Sequence, residues 1–505
     1  MAGNSWEITP ITRLKCMASS CFFGEPTYYN PKVASYGHFY EGSFLGQTMF
    51  GKEWHGLNPA QKLEKAIDEA LDYDAEATLD YAFELRTQLN IRATPQVIAV
   101  RAANMVSLKG QGIRQYALAT IQRPDDAATQ FAYHVAKYGK NAPIPNALKK
   151  AWREYLIKCT EYDLAKYQLA SKEVKMVDLI NMVRPKSEAI DKFMKGTLSN
   201  TGKTWEAIIS GGGRWDEAVE VMGHMALLRN LRNFVEKSDE TTQRKVADKL
   251  VATAAKGHQL PFRYWSAFNA LVEGGRRAPG FMLDAVENAL RVSLGNLPRL
   301  QGNSLVLSDN SGSARHAFQS KMGSVQISTI GNLLAAIVGK ISDNARIGVF
   351  GDRLSCVESR KSSSVFDDLK TLNNLGEGVG QGTENGIWLA LHQAIAEREH
   401  WDNIFVCSDM QAGHGGLYGC GVIPSEYLWR TNNQGYGAAS SPVTIDVPYM
   451  LHKYRKINPN VNVFLIQTAG YEDTIIPEYF DRTYVIGGWS DGVIHFADQM
   501  IKLRQ

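Results

Sequence analysis

The stretch SLVLSDNSGS, residues 304–313, decides the fold. Leu305, Val306 and Leu307 form an apolar run with no polar alternation, the mark of a strand buried on both faces, and it ends abruptly in an Asp/Asn/Ser/Gly turn. Four more such runs follow: ARIGVF (345–350), NIFVCSD (403–409), VNVFLIQT (461–468) and RTYVIGG (482–488). Between them lie stretches of helical character, among them STIGNLLAAIVGKI (328–341) and ENGIWLALHQAIAERE (384–399). Buried strands alternating with helices predict a parallel α/β sheet over residues 301–505. Ligand sites in such sheets lie beyond the carboxyl ends of the strands.

The turn at 309–313 stands at such an end. Asp309, Ser311 and Ser313 offer one carboxylate and two hydroxyls, hard oxygens of the kind Mg2+ selects. Thr383 in GQGTENG precedes a helix and offers a third hydroxyl, while Asp409 closes the 403–409 run within reach of an ion through water. Asp-x-Ser-x-Ser by itself is a common loop composition; its place after a buried strand, with Thr383 and Asp409 spaced as they are, makes it specific. The combination resembles the metal-ion-dependent adhesion site of von Willebrand A domains. That resemblance implies that Asp309, Ser311, Ser313 and Thr383 coordinate a divalent ion, Mg2+ foremost, with Asp409 assisting. Such a site docks a partner's carboxylate or a water and is not usually catalytic.

Working back toward the start, residues 58–290 read as successive amphipathic helices with little strand character. Asn58 and Pro59 form a cap and first-turn pair before NPAQKLEKAIDEALDY, and Thr94 and Pro95 repeat the device before QVIAVRAAN. Further helices fit AATQFAYHVAKYG, IPNALKKAWREYLIKC, KMVDLINMV, WDEAVEVMGHMALLRNLRNF, ETTQRKVADKL and FMLDAVENALRVSL. Many helices on short loops suit an α-solenoid, with an irregular bundle as the alternative; no repeat of fixed period decides between them.

A chain of 505 residues exceeds the roughly 250 to 300 residues one core usually supports, so two domains are expected, 1–300 and 301–505. The net charge of +3 conceals an asymmetry: residues 301–505 hold 16 Lys/Arg and 20 Asp/Glu, while residues 1–300 hold 39 and 32. The window from Lys137 to Lys203 has 14 basic and 7 acidic residues, which accounts for the whole excess and points to an anionic partner. Six cysteines without a CxxC pair argue against a disulfide framework or zinc site. Neither a signal-like opening nor an 18-residue apolar run is present, so a cytoplasmic, non-membrane protein is expected.

Stretches along nearly the whole chain are similar to the Ro autoantigen family and its bacterial relatives, which join a TROVE module to an A domain. They are CFFGEPTYY (21–29), VKMVDLINMVRPK (174–186), MALLRNLRN (225–233), LPFRYWSAF (260–268), GTENG, CSDMQAG and AGYEDTIIPEYFDRTYVIGGWSDGVIHF (469–496). The resemblance implies a monomeric ring of HEAT-like helical repeats closed by the A domain. It implies binding of noncoding RNA, with single-stranded 3′ ends of misfolded RNAs in the ring and Y RNA on the basic outer surface. It also implies a ribonucleoprotein working with the exoribonuclease polynucleotide phosphorylase. Lys166, Lys172, Lys175, Arg184 and Lys186 fall where relatives place RNA contacts, although relatives often carry histidine where this chain has Arg184. Arg229 and Arg232, spaced to share one helix face, either point into the hole or pair with helix carboxylates.

No GxSxG, HExxH or GxxxxGK[ST] motif is present, so an enzyme is not expected; GGGR (211–214) lacks the Lys-Ser/Thr of a phosphate loop. His316 and His414 are read as loop residues. The Gly-, Tyr- and Ser-rich segment 411–450 is either a recognition loop or a passive insertion. The rival function is a protein-interaction scaffold centred on the metal-dependent A domain.

Overall fold

The computed structural model describes residues 9–18, 57, 59–89, 91–169, 174–198, 204–259, 261–273, 277–315, 317–320, 323–381, 387–408, 428–430, 443–445, 447–468, 482–487 and 491–502. Among them, seventeen α-helices precede the first strand: α1 Pro10–Ala18, α2 Pro59–Tyr73, α3 Ala75–Thr87, α4 Ala93–Asn104, α5 Ile113–Ala119, α6 Pro124–Tyr138, α7 Asn146–Ile157, α8 Glu161–Lys166, α9 Met176–Val183, α10 Glu188–Lys195, α11 Trp205–Ser210, α12 Trp215–Val221, α13 His224–Arg229, α14 Leu231–Lys237, α15 Glu240–Gly257, α16 Pro261–Val272 and α17 Gly280–Ser293. Local chemistry starts many of them. The side chains of Asp74, Thr160, Ser187 and Asp239 accept backbone N–H groups of the first turns of α3, α8, α10 and α15.

Two expectations shift. Helix α4 begins at Ala93, so Thr94 and Pro95 lie inside its first turn; the first N–H groups of a helix have no intrahelical acceptor, and proline is tolerated there. The stretch 215–234 is three short helices, broken at Gly223 and Asn230, and Arg229 and Arg232 therefore fall on different helices.

Polar chains run through the packed helices. Trp152 Nε1 donates to Gln130 Oε1 at 2.7 Å, Gln130 Nε2 donates to Gln96 Oε1 at 2.8 Å, and Gln96 Nε2 donates to the Thr120 carbonyl at 2.9 Å. Each donor named is satisfied, so the chain joins α4, α6 and α7 without the penalty of an unpaired buried amide.

The second half follows: β1 Leu300–Asp309, β2 Ala317–Ser320, β3 Gly323–Gln326, α18 Ile327–Ile341, β4 Ser342–Phe350, β5 Leu354–Glu358, α19 Val365–Glu377, α20 Ile387–Glu397, β6 Asn403–Ser408, β7 Leu428–Arg430, β8 Val443–Ile445, α21 Val447–Arg455, β9 Asn462–Gln467, β10 Thr483–Gly487 and α22 Asp491–Lys502. Six strands form one sheet in the order β10-β9-β6-β1-β4-β5. All neighbours are parallel except β5, which returns antiparallel to β4 as an edge strand. The strands anticipated from the apolar runs are β1, β4, β6, β9 and β10. Across the sheet the rings of Phe405, Phe464 and Tyr484 stack at 4.7 and 5.3 Å, and Phe496 of α22 meets Tyr484 at 5.5 Å.

The helical array meets this α/β unit at both of its ends. Helix α1 lies against β10 and α22, with Lys15 Nζ donating to Gln499 Oε1 at 3.3 Å. At the other end α17 packs on α19, and Phe268 of α16 meets Phe366. The two faces of β1 serve different ends: Leu305 and Leu307 belong to the apolar cluster that contains α1–α4, and Val306 to the one that contains α12–α17.

Candidate functional site

The strand order reverses beside β1, because the chain passes from β1 to β4 on one side and returns to β6 on the other. A crevice opens at such a switch point beyond the strand ends. Asp309 is the last residue of β1 and Ser408 the last of β6. Ser408 Oγ donates to Asp309 Oδ2 at 2.6 Å, and the Ser311 backbone N–H donates to Asp309 Oδ1 at 2.9 Å. The carboxyl is buried, and burial pushes its pKa up against the opposing hydrogen bonds of Ser408 and Ser311 and the charge of Arg315.

Ser311 Oγ and Ser313 Oγ stand 3.2 Å apart. Adjacent oxygens around an octahedral Mg2+ with bonds of about 2.0–2.1 Å are separated by roughly 2.9 Å, so a small adjustment seats both hydroxyls on one ion. Thr383 and Asp409 lie outside the described residues, whereas Gln381 and Ser408 lie within them. The Gly312 N–H donates to the Gln381 carbonyl at 2.9 Å, and Ser408 adjoins Asp309, so the chain arrives beside the turn two residues before Thr383 and one before Asp409. Among the described residues no group of three or more His, Cys, Asp or Glu side chains gathers as metal ligands. A set of one carboxylate with hydroxyls fits a hard divalent ion and not zinc.

Behind the turn is a polar support that the sequence reading missed. Asn310 Nδ2 donates to Asn332 Oδ1 at 2.9 Å, Asn332 Nδ2 returns a bond to Asn310 Oδ1 at 3.1 Å and also donates to Asn373 Oδ1 at 2.8 Å. This ladder joins the turn to α18 and α19. A Cβ on Gly376 would fall within contact distance of Asn310 Oδ1, so only glycine lets α19 approach this closely. Arg315 adds hydrogen bonds to the carbonyls of Asn310, Gly376 and Gly380. Nothing in composition marks these partners, which are separated by up to 65 residues along the chain.

On the helical half, Lys166, Lys175, Arg184 and Lys186 are exposed, and among the described residues no carboxylate pairs with them; Lys172 lies outside those residues. Lys166 Nζ sits 5.5 Å from the Tyr162 ring centroid and 5.7 Å from that of Tyr167, and the Arg123 guanidinium lies 5.1 Å over Tyr167. Arg184 ends α9 in the left-handed region at φ 48°, a conformation that is costly for a residue with a Cβ. Other cations of the window are neutralised: Lys192 pairs with Glu161 at 2.7 Å and Glu188 at 2.8 Å, and Lys137 with Glu64 at 2.6 Å. Arg229 is exposed on α13, whereas Arg232 pairs with Glu236 at 2.7 Å, one turn on.

No protein-family model and no curated protein matches the sequence. Among solved structures the chain is similar to the Ro (RSR) protein of Deinococcus radiodurans, with a TM-score of 0.61 and 15% identity over 86% of this chain and 93% of that one. The fold is thus that of a bacterial Ro protein, helical repeats joined to a von Willebrand A-type α/β domain.

Proposed function

We propose that a chain with the Ro fold and an exposed set of cations from the end of α8 to just past α9 binds noncoding RNA. The observation that carries this reading is the surface around Lys166, Lys175, Arg184 and Lys186, where, among the described residues, no carboxylate pairs with these cations. Such cations neutralise phosphates and release counterions, which gives affinity without sequence choice. The aromatic rings of Tyr162 and Tyr167 beside Lys166 offer stacking surface to unpaired bases. In the finer form of the proposal, single-stranded 3′ ends of misfolded RNAs are bound by the helical array and Y RNA by its basic face. The chain acts as a cytoplasmic monomer that presents RNA to an exoribonuclease such as polynucleotide phosphorylase.

In the α/β domain, Asp309, Ser311 and Ser313, with Thr383 and Asp409, hold a divalent ion of the Mg2+ kind. An ion held there would supply Lewis-acid attraction for a partner's carboxylate or a water. Ser408 orients the Asp309 carboxylate and Asn310 steadies the turn. The site is proposed to dock a partner, and no reaction is assigned to it.

The test is affinity of the purified protein for a structured RNA with a single-stranded 3′ tail, for the same RNA without the tail, and for a circular form, each at two salt concentrations. Tighter, salt-sensitive binding of the tailed linear RNA is expected. Equal binding of the circular form would remove end recognition, and no binding to any would leave the interaction-scaffold reading in its place.

A further inference from the structure

Arg153, on α7, reaches across to the end of α9, where its Nε donates to the Val183 carbonyl at 2.7 Å. Val183 is the last residue of α9, so its carbonyl has no donor within the helix and lies at the negative end of the helix dipole. This bond uses one of the five N–H groups of the guanidinium. Among the described residues neither Nη nitrogen of Arg153 takes part in a hydrogen bond or ion pair, and the residue is exposed. Acidic neighbours are engaged elsewhere: Glu154 pairs with Arg114 and with Lys158 at 3.6 Å, and Glu161 and Glu188 are held by Lys192.

The peptide group that Arg153 holds leads directly into Arg184, whose backbone is left-handed at φ 48° and ψ 56° and whose N–H donates to the Ile180 carbonyl at 2.7 Å. Glycine takes that place after a helix without steric cost. An arginine keeps its side chain there at the expense of backbone strain, the pattern of a position whose side chain is used. Pro185 is buried between the exposed Arg184 and Lys186, and Ser187 caps α10, so both cations sit on a short turn tied down at each end.

We propose that Arg153 is a further RNA-binding residue of this surface, a guanidinium anchored through Nε whose remaining N–H groups take a backbone phosphate beside the Arg184–Lys186 turn. This inference rests on the reading of the basic surface as an RNA site. A planar guanidinium offers parallel N–H groups that match the oxygens of a phosphate, which a lysine ammonium does not. The bond to Val183 fixes one edge of that plane before RNA arrives, so less side-chain freedom is lost on binding.

A structural role alone is the competing account, because a guanidinium on the Val183 carbonyl also closes the end of α9. In that case Arg153 would affect RNA only by setting the turn that carries Arg184 and Lys186. Once both of those charges are gone it would have nothing left to place, whereas a phosphate contact of its own persists in their absence.

The experiment measures the affinity of the full chain for the structured RNA with a single-stranded 3′ tail over a series of salt concentrations, as wild type, Arg153→Gln, Arg153→Lys, Arg184→Gln/Lys186→Gln and the triple variant with Arg153→Gln. Arg153→Gln should weaken binding by about tenfold, the scale of one hydrogen-bonded charge contact, and lower the slope of log K against log salt by about 0.7–0.9. The same fall in slope is expected when Arg153→Gln is added to Arg184→Gln/Lys186→Gln. Arg153→Lys keeps the charge without the fork, so it should retain the slope and lose part of the affinity. It carries the test if the glutamine variant does not fold, and wild-type affinity in it would overturn the proposal. RNA binding by the wild type with an unchanged slope in Arg153→Gln, or a change that disappears when Arg184 and Lys186 are neutral, would overturn this inference alone. Absence of RNA binding by the wild type would overturn the RNA reading and this inference with it.

Discussion

The ring of Phe268, on α16, lies 4.6 Å from the ring of Phe366, on α19, with their planes inclined by 38°. This pair belongs to the apolar seam between the end of the helical array and the α/β domain. Truncation of a well-packed phenylalanine costs about 3–5 kcal/mol where neighbours cannot close the gap. Phe366→Ala should therefore destabilise the protein by about 3 kcal/mol in urea denaturation. Because the rings touch, Phe268→Ala should cost less in the Phe366→Ala background than alone. Additive losses would mean that the two rings do not share an interaction.

Asp309→Ala should abolish divalent-ion binding, measured by calorimetry, and leave RNA affinity within about twofold, since the two surfaces lie on different parts of the chain and distant sites are usually independent. Parallel loss of both would mean that the ion site and the RNA surface are one system.

Gly376→Ala places a methyl group against Asn310 Oδ1. The backbone of α19 and the buried Asn310–Asn332 pair must then separate, and overpacking of this kind costs about 1–3 kcal/mol. Chemical denaturation should show that loss, and ion affinity should fall with it. Full retention of both would show that the ladder yields freely.

His224 is buried, with Nε2 2.8 Å from the Tyr264 hydroxyl and Nδ1 2.9 Å from Thr253 Oγ1. Burial holds its pKa below the ordinary histidine value of 6.5. Above pH 6.5 it is neutral in folded and unfolded states alike, and its contribution to stability is complete. As the pH falls below 6.5 the unfolded chain takes up the proton first, and stability declines until the folded-state pKa is reached. His224→Gln should lower stability at neutral pH but flatten this part of the profile, as read by thermal unfolding from about pH 7.5 to about pH 5. An unchanged acid slope would assign the effect to other groups, such as His134 and His495, which burial also depresses.

Lys166→Gln, Arg184→Gln and Lys186→Gln should each weaken binding of every RNA by a similar factor and reduce the slope of log K against log salt by about 0.7–0.9 for each phosphate that is no longer neutralised. Arg232→Gln, whose partner Glu236 already claims its charge, should change the slope little. Equal effects of all four would dissociate RNA binding from the α8–α9 surface.

The α/β half was legible in the sequence because the middles of its central strands, such as Leu305–Val306–Leu307 and Ile404–Phe405–Val406, are buried on both faces and carry only apolar side chains. Strand β5 escaped notice for the opposite reason: it is a short edge strand, and Leu354–Glu358 is only partly covered. The stretch 215–234 keeps its apolar periodicity through Gly223 and Asn230, so the breaks between α12, α13 and α14 did not interrupt the pattern. Of the candidate site, Asp309, Ser311 and Ser313 could be read together because they are adjacent. Arg315, Asn332, Asn373 and Ser408 could not, since their importance arises only when the sheet and two helices converge. Charge counting located the basic window, yet ion pairing within it, as at Lys137 and Lys192, depends on which helix faces meet.

Helix α1 rests on β10 and α22, and Lys15 bonds to Gln499 across 484 positions of sequence. A ribosome releases the chain from its amino end at about 5–20 residues per second, so α1 emerges long before the surface that receives it exists. Helix α1 must wait while the residues between it and α22 are made, some tens of seconds by that rate. During that time α1 has α2 and α3 beside it but lacks the part of its cover that β10 and α22 supply. The docking of β10 and α22 on α1 is then a late step of maturation, and a truncation that removes α22 should leave α1 partly uncovered.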